Sequence, residues 1–437
     1  MLAEKVKDAG VIGAGGAGFP AHIKMAATVE WMLANGAECE PLMHKDRELM
    51  TLFAKEVVAG LKLASEAVSA NRAVIGIKSK NQGALAALKS AARDSSIEFQ
   101  EFGDYYPAGD EYEIVAGITG KLMPPGGIPL DVGAVVSNVE SLYNIYFASR
   151  GQAVTRKFIT IAGTVREPIT VQVPIGITFA DAIALAGGVT TEPFAVMEGG
   201  LMMGKPVSDL AMPVTKRCGG LVVLPEDHVL IQRYLKPQKA KHQIGHSACD
   251  QCSYCTELCP RYLLGYDIQP HLVMRSLGFT MAGDDLWNQY AMLCCHCGIC
   301  TLYACPEELY PREACEQSID NMRAKGIMKW QGRQDVQKHP MKDARRVPMK
   351  QLMNRLGVAR YDAHAPYKEL DWHPETVYIP LSQHAGMAAN PVVANGDRVS
   401  AGQVIGEIPD GKLGARIHAS ITGKVREITK DMIVIEA

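Results

Sequence analysis

The fold of the middle of this chain is decided by one stretch, Cys249-Asp250-Gln251-Cys252-Ser253-Tyr254-Cys255-Thr256-Glu257-Leu258-Cys259-Pro260. Its cysteines follow the spacing C-x2-C-x2-C-x3-C-P, with which bacterial ferredoxins hold a four-iron cluster. Three thiolates two residues apart can wrap one face of such a cluster, whereas the fourth begins a helix and reaches elsewhere. Zinc sites more often consist of two C-x2-C pairs, so the spacing predicts iron–sulfur ligation.

A second cysteine run repeats the motif, with one extra residue before its last cysteine, and ends at Pro306. In two-cluster ferredoxins the fourth cysteine of each run binds the cluster of the other run. This crossing predicts two [4Fe-4S] clusters, with the ligands Cys249, Cys252, Cys255 and Cys305 for one and Cys294, Cys297, Cys300 and Cys259 for the other. Four cysteines are expected to be unligated: Cys295, which fits the C-x2-C register less well than Cys294, and Cys315, Cys218 and Cys39, which are expected to be small buried residues.

The composition sets limits on the rest of the chain. Its 437 residues suggest about three domains. The 45 basic and 47 acidic residues leave a net charge of -2, which makes nucleic acid an unfavoured partner. No apolar run approaches the roughly 18 residues of a membrane span, and the first ten residues lack the features of a secretory signal. We therefore expect a cytoplasmic protein without a membrane span.

A glycine-rich run lies near the amino terminus, Gly13-Ala14-Gly15-Gly16-Ala17-Gly18-Phe19-Pro20. Glycine allows backbone N–H groups to approach a phosphate and readily adopts positive φ. The run follows a predicted helix, Glu4 to Ala9, and not a strand, so it does not fit the dinucleotide-binding fingerprint of a Rossmann fold. On these residues alone, a turn without a ligand remains an equal alternative.

Strands and helices alternate after this run, which predicts an α/β layer. The predicted strands are Val29 to Leu33, Ala73 to Ile77, Ile97 to Phe102 and Gly133 to Val136, and the predicted helices are Asp46 to Ala70 and Asn81 to Ala92.

Four separated motifs in residues 10–150 resemble the flavin module of two families: the NADH-binding flavoprotein of respiratory complex I, and the RnfC protein of the Rnf complex. They are the glycine-rich run with Lys24, the turn from Asn35 to Pro41, Gly109-Asp110-Glu111, and Ser137-Asn138-Val139-Glu140. Ala37, Cys39 and Asp110 depart from the pattern of these families.

This resemblance implies an FMN site and NADH as the electron donor. It implies that Gly15, Gly16 and Lys24 bind FMN, and that Asn35, Glu38 and Asn138 surround its isoalloxazine and ribityl groups. Glu111 is the implied catalytic residue, near the face that receives the nicotinamide. The predicted cofactor-binding set also contains Gly13, Gly18, Glu40, Gly109 and Asp110.

The remaining segments complete the expected domain organisation. Residues 153–210 resemble the β-grasp module that follows the flavin fold in the same families, and glycine-marked turns give residues 373–437 a resemblance to a barrel-sandwich hybrid. Residues 323–372 contain eleven Lys or Arg between Arg323 and Arg360 against two acids, which is typical of a solvated linker or of a surface for an acidic partner. The expected boundaries are 1–152 for an FMN/NADH-binding α/β domain, 153–210 for the β-grasp domain, 211–240 for a connector, 241–322 for a two-cluster ferredoxin-like domain, 323–372 for the basic linker and 373–437 for the all-β barrel-sandwich hybrid.

This domain order, together with Cys305-Pro306 and the segment Leu309 to Cys315, is similar to the cobalamin reductases of bacterial propanediol-utilisation microcompartments. The resemblance implies that electrons pass from NADH through FMN and two [4Fe-4S] clusters to a corrinoid, inside a microcompartment. Adenosyltransferase and shell proteins are the implied protein partners. Two alternatives stay open: an electron-transfer subunit of an Rnf-like NADH:ferredoxin complex, and a non-catalytic relay or scaffold of a microcompartment.

Overall fold

A computed structural model describes residues 1–276 and 287–437 of the chain. The strands of these residues are β1 Trp31–Gly36, β2 Arg72–Lys78, β3 Glu98–Phe102, β4 Tyr105–Tyr106, β5 Ala134–Asn138, β6 Arg156–Gly163, β7 Ile169–Pro174, β8 Phe194–Glu198, β9 Lys205–Pro206, β10 Gly220–Pro225, β11 Val347–Pro348, β12 Thr376–Pro380, β13 Asn390–Pro391, β14 Arg398–Val399, β15 Val404–Glu407, β16 Ile417–His418, β17 Gly423–Ile428 and β18 Met432–Glu436. The α-helices are α1 Leu2–Asp8, α2 Ala21–Lys24, α3 Lys45–Leu52, α4 Ala54–Ala67, α5 Gln82–Ala91, α6 Glu111–Thr119, α7 Val139–Ser149, α8 Phe179–Leu185, α9 Val229–Leu235, α10 Gln238–Ala248, α11 Tyr254–Glu257, α12 Pro260–Leu263, α13 Pro270–Ser276, α14 Pro311–Ala324 and α15 Met349–Arg355.

The first unit is a parallel four-stranded sheet in the order β3-β2-β1-β5. Side chains of β1 alternate between two cores: Met32 and Ala34 lie in one, and Trp31 and Leu33 lie in the other. Because both faces are covered, β1, β2 and β5 are almost continuously buried, whereas the edge strand β3 is mostly polar and partly exposed. The chain runs from β1 to β2 on one side and returns to β5 on the other, which creates a crevice at the carboxyl ends of β1 and β5.

The single helix expected from Asp46 to Ala70 is two helices, α3 and α4, which meet at Phe53. Phe53 has φ −116° and ψ 33°, outside the α-helical range. Its ring makes edge contacts with Tyr143, Phe158 and Tyr367. Apolar periodicity could not reveal the break, since Phe53 fits the apolar face of one long helix and its partners come from distant segments.

The β-grasp sheet has the order β7-β6-β10-β8-β9, and α8 follows β7 in the chain. Strand β10 is central in this sheet: it pairs in parallel with β6 and antiparallel with β8. The expected boundary at residue 210 places β10 in the connector, whereas its pairing makes it part of the sheet. The run Leu221 to Leu224 is fully buried because it is covered on both sides.

Residues 323–372, which we call the basic strap, return to the first unit. Strand β11 in the strap pairs antiparallel with β4, and Lys342 makes a 2.8 Å ion pair with Glu113 of α6. Further along the strap, the Tyr367 amide donates to Glu48 of α3 at 3.0 Å. The strap is therefore fixed to the first unit at these points, although most of its Lys and Arg residues are exposed.

Helices α10 to α14 surround the cysteine runs, and two small sheets form the carboxyl-terminal unit. These sheets have the orders β12-β18-β17-β14 and β13-β15-β16. Their apolar residues share one core with the β-grasp sheet, for example Ile379 and Ile433 with Ile159. Within the two described ranges, every helix is too short or too polar to cross a bilayer.

Candidate flavin and iron–sulfur sites

Two asparagines lie side by side at the carboxyl ends of β1 and β5. Asn35 and Asn138 are register partners in the parallel pairing. The Asn35 amide nitrogen donates to the Gly109 carbonyl at 2.9 Å, and that of Asn138 donates to Asp46 Oδ2 at 2.8 Å. Asn138 also caps α7 by accepting from the Glu140 amide. The structure thus brings two predicted flavin residues together in the crevice at this sheet edge.

The glycine-rich run forms a loop beside Asn138. The Gly13 amide donates to the Phe19 carbonyl at 2.8 Å, and the Gly18 amide donates to the Gly13 carbonyl at 3.2 Å. Gly16 has φ +104°, a conformation that side chains strongly disfavour, and a Cβ built on Gly15 would lie 3.6 Å from Asn138 Cβ. The amides of Gly15, Gly16 and Ala17 make no hydrogen bond to any described residue. Such amides fit the donor chemistry of a phosphate site.

Lys24 and Glu111 meet near the same loop. The Lys24 ammonium donates to the Val136 carbonyl at 2.8 Å and lies 3.9 Å from Glu111 Oε1. Burial lowers the pKa of Lys24 and raises that of Glu111, which shows that the charged form of each group is incompletely compensated. An anion at the loop would stabilise the charged lysine.

Glu38 belongs to a buried ionic network that sequence analysis missed. The Asp46 amide donates to Glu38 Oε2 at 3.2 Å, and burial followed by the Asp46 charge raises the pKa of Glu38 to about 8. Lys45 lies 2.5 Å from Asp46 Oδ1 and 3.1 Å from Glu140 Oε2, which also accepts from Lys157. Glu140 stands in a motif quoted for the flavin resemblance, but no local pattern links it to Lys45 or Lys157.

Glu40 contacts the β-grasp domain. Its carboxylate accepts hydrogen bonds from the amides of Met202 and Met203 at 2.8 and 2.9 Å. Burial raises the pKa of Glu40 to about 7. Gly200, with φ +126°, leaves room for this carboxylate, because an added Cβ would lie 2.5 Å from Glu40 Oε2. Its observed contacts place Glu40 at a domain interface, and its role toward FMN stays a prediction.

Gly109 and Asp110 form the turn before α6. A Cβ on Gly109 would lie 2.6 Å from the Ala37 carbonyl oxygen, so the two turns approach closely only with glycine here. Asp110 caps α6, accepting from the amides of Tyr112 and Glu113, and forms an ion pair with Arg261 of α12. Arg261 is another residue that sequence analysis missed.

The first predicted cysteine set comes together in the structure. The pKa of Cys255 is raised to about 12 by burial and then by the neighbouring thiols of Cys305, Cys249 and Cys252. Three of these cysteines are partly or fully buried, whereas Cys252 is exposed. A group of four thiols fits the donor chemistry of a cubane.

The second predicted cysteine set lies beside two cysteines that are expected to be unligated, Cys295 and Cys315. Cys300 is buried, and its pKa is raised by burial and by Cys294, Cys255 and Cys259. The thiol of Cys295 neighbours that of Cys297, and the thiol of Cys315 neighbours that of Cys294. Both Cys294 and Cys295 therefore lie close to this set, and the choice of Cys294 as ligand stays a prediction.

Across residues 1–276 and 287–437, no three His, Cys, Asp or Glu side chains are close enough to hold one metal ion together. Thiolates that bind different irons of a cubane do not need to converge on one atom. The two groups of thiols accordingly fit iron–sulfur ligation.

Four family models match successive parts of the chain. They are the Nuo51 FMN-binding domain at residues 6–147, the SLBB domain at 158–206, the 4Fe-4S dicluster domain at 248–310 and the RnfC barrel sandwich hybrid domain at 363–436. These matches confirm the predicted fold class: an α/β flavin module, a β-grasp module, a ferredoxin-like cluster domain and an all-β barrel-sandwich hybrid, in that order.

Some similar proteins match nearly the whole chain, and others match part of it. Cobalamin reductase PduS of Citrobacter freundii is 38% identical over 438 residues, covering 99% of this chain and 96% of that protein, and its Salmonella typhimurium counterpart is 39% identical with the same coverage. One component of the proton-translocating ferredoxin:NAD(+) oxidoreductase complex of Clostridium ljungdahlii is 34% identical, over 59% of this chain and 55% of that protein. An NAD+-reducing [NiFe]-hydrogenase in the H2-reduced state shares the fold, with a TM-score of 0.50 and 22% identity over 78% of this chain and 65% of that one.

Proposed function

Because the chain belongs to the cobalamin reductase PduS family, we propose that it transfers electrons from NADH to a corrinoid. The family and the matched FMN-binding and 4Fe-4S domains make it an iron–sulfur flavoprotein oxidoreductase. One observation carries the proposal: the flavin module touches the cysteine domain directly, where the buried Tyr106 hydroxyl donates to the Cys297 carbonyl at 2.7 Å. Electron transfer between the two modules needs such contact.

The chain's own residues would bind and orient the flavin. When bound, FMN accepts a hydride and releases electrons singly to iron–sulfur clusters. The amides of Gly15 and Gly16 and the Lys24 ammonium would hold its phosphate, and Asn35 and Asn138 supply donors and acceptors at the sheet edge. Glu111, half-exposed and 3.9 Å from Lys24, would contact an entering nicotinamide.

Two [4Fe-4S] clusters would be held by the eight predicted cysteines. Cys249, Cys252, Cys255 and Cys305 form one set, and Cys294, Cys297, Cys300 and Cys259 form the other. The proximity of Cys305 to Cys255 and Cys249 supports the crossed assignment, because Cys305 ends the second run and the other two belong to the first.

The corrinoid acceptor is supported by the names of the two full-length relatives. On the same ground we propose a cytoplasmic location inside a microcompartment, with adenosyltransferase and shell proteins as partners. An Rnf-like NADH:ferredoxin subunit is the second candidate, favoured by the 34% identity to a component of the ferredoxin:NAD(+) oxidoreductase complex. Co-purification with integral membrane proteins would support this second function.

The decisive experiment mixes anaerobically purified, cofactor-loaded protein with NADH and cob(III)alamin and records the visible spectrum. We expect NADH-dependent conversion to the reduced corrinoid spectrum, faster than with unbound FMN at the same concentration. NADH oxidation with an artificial acceptor but no corrinoid reduction would overturn the corrinoid proposal. Absence of both reactions would favour the relay or scaffold alternative.

A further inference from the structure

A buried ion pair connects the flavin site to the cysteine domain. The Arg261 guanidinium donates two hydrogen bonds to the Asp110 carboxylate, at 2.5 Å to Oδ1 and 3.1 Å to Oδ2. Only 14% of the Asp110 side chain and 9% of the Arg261 side chain are exposed. The Arg261 guanidinium also lies 3.5 Å from the centre of the Tyr112 ring. A bidentate pair stacked on an aromatic ring has little orientational freedom.

Arg261 is fixed to a predicted cluster ligand by a very short piece of chain. Cys259 is the residue before α12, and Pro260 and Arg261 form its first turn. The charge of Arg261 is stabilised by Asp110 and also by Cys295, once the cost of burial is overcome. Arg261 therefore joins the flavin-site turn to the segment that carries Cys259.

The two cysteine sets differ in what surrounds them. Cys259 and Cys294 pack in a core that includes Tyr112 and Ala116 of α6 in the flavin module. Cys249 and Cys305 pack in a second core, which among the described residues comes only from the cysteine domain and which Cys294 also contacts. Cys252 of this set is exposed. The cysteines that share a core with α6 of the flavin module, Cys259 and Cys294, thus belong to one set, and the exposed Cys252 belongs to the other.

We propose that Arg261 is a positioning residue that holds the Cys259, Cys294, Cys297 and Cys300 set against the flavin site. The cluster of this set is then the nearer one to the flavin, and the cluster of the Cys249 set is the farther one. The inference rests on the proposed function and adds the order of the two sets. Each transfer moves one electron from the flavin to a cluster without forming or breaking a bond. The positive charge of Arg261 favours the added negative charge on the adjacent set.

The test uses the full-length, cofactor-loaded protein and an anaerobic redox titration followed by electron paramagnetic resonance. Arg261→Gln should shift one cluster signal to lower potential and leave the other unchanged. The shifted signal should be the one that is lost in Cys297→Ser, and not the one that is lost in Cys252→Ser. Flavin-to-cluster electron transfer, followed by stopped flow after reduction of the flavin with NADH, should slow by roughly tenfold.

Two further variants separate charge from geometry and from general damage. Arg261→Lys retains the charge but not the bidentate geometry, so it should keep the potential and still slow the transfer. Arg72→Gln removes a chemically matched bidentate pair with Glu98 at the surface of the flavin module and should change neither property. Iron and flavin contents are measured for every variant, and Arg261→Lys provides the test if Arg261→Gln does not fold.

A shift of the Cys252-dependent signal, of both signals, or of neither in Arg261→Gln would overturn the inference. An unchanged rate of flavin-to-cluster electron transfer in Arg261→Lys would contradict the positioning role. Both outcomes are distinct from failure of the proposed function, in which NADH would not reduce the clusters of the unaltered protein.

Discussion

Lys24 illustrates at the scale of one residue how burial prepares a group for a ligand. Its ammonium has a carbonyl partner and a carboxylate 3.9 Å away, and its pKa is nevertheless lowered by burial. A phosphate would supply the missing negative charge, and the neighbouring loop amides would share the interaction. The lysine and the loop are therefore expected to act together.

Lys24→Ala combined with Gly16→Val should abolish FMN retention. The first change removes the positive charge, and the second places a branched side chain at φ +104°, where it would strain the loop. Flavin absorbance after gel filtration measures the outcome. Lys121→Ala, which removes an exposed lysine paired with Glu30 in the same module, should retain flavin. Normal flavin content in the double variant would contradict the assignment of the loop.

Cys294→Ser and Cys295→Ser should separate the two adjacent thiols. The C-x2-C register predicts that Cys294 is the ligand, so Cys294→Ser should reduce the iron content from about eight to about four atoms per chain, and Cys295→Ser should leave it near eight. Iron analysis of anaerobically reconstituted protein gives the answer. The reverse pattern would assign the ligand to Cys295, which contacts Cys297 in the structure.

The sequence could propose candidate site residues only where they lie in local motifs, such as the spaced cysteines and the two asparagines, which the structure brings together. It could not reveal Arg261 as the partner of Asp110, because the two residues are 151 positions apart and each is an ordinary charged residue in its own segment. The same holds for Lys45, Lys157 and Glu140, whose pairing exists only after three segments have packed. A charged pair stands out as a candidate site feature only when it is buried, and its burial depends on the tertiary structure, which local sequence patterns do not show.

The basic strap shows at the scale of an element what composition leaves out: most of its Lys and Arg are exposed, as expected for a solvated segment, but its backbone is also fixed to the first unit. A strong excess of Lys and Arg is typical of a solvated linker, but β11 pairs with β4 and Lys342 pairs with the buried Glu113. Strand β10 was expected in the connector for the same reason, because its partners in the sheet, β6 and β8, are distant from it in sequence. Element type could be predicted from local pattern, whereas membership of a sheet depends on distant partners.

Lys342→Met should loosen the basic strap. The Lys342 and Glu113 side chains are 11% and 6% exposed, and loss of the lysine leaves a buried carboxylate whose pKa is already raised by burial. Chymotrypsin should cut residues 323–372 several times faster in this variant than in the unaltered protein. Lys350→Met, at an exposed position of the same strap, is the matched control. Equal cleavage of both variants would show that the pair does not hold the strap.

At the scale of the whole molecule, Lys216 joins three units. Its ammonium donates to the carbonyls of Gly10 and Arg416 at 2.7 and 2.9 Å. Burial lowers its pKa to about 7, so the charged form is poorly stabilised in the folded protein. The unfolded chain, with the ordinary lysine pKa of about 10.4, binds more protons between these two values.

Stability should therefore gain a contribution from Lys216 as the pH rises from about 7 toward 10, and lose it as the pH falls back to 7. Lys216→Met removes this contribution to the pH dependence. The difference in thermal unfolding midpoint between the unaltered protein and the variant, measured at about pH 7 and pH 9, isolates it from other titrating groups. A difference that does not change with pH would contradict the lowered pKa.

The contacts of the glycine-rich loop also bear on biosynthesis. The Gly18 carbonyl accepts from the Ala385 amide, and Asp8 pairs with Arg416, 408 positions away. The ribosome synthesises the loop well before these later residues, so the nascent loop lacks these contacts until residues 385–416 have been synthesised. The glycine-rich loop gains its final contacts only after the carboxyl-terminal sheets have been synthesised and have packed against it. This packing is therefore a late step in the folding of the chain.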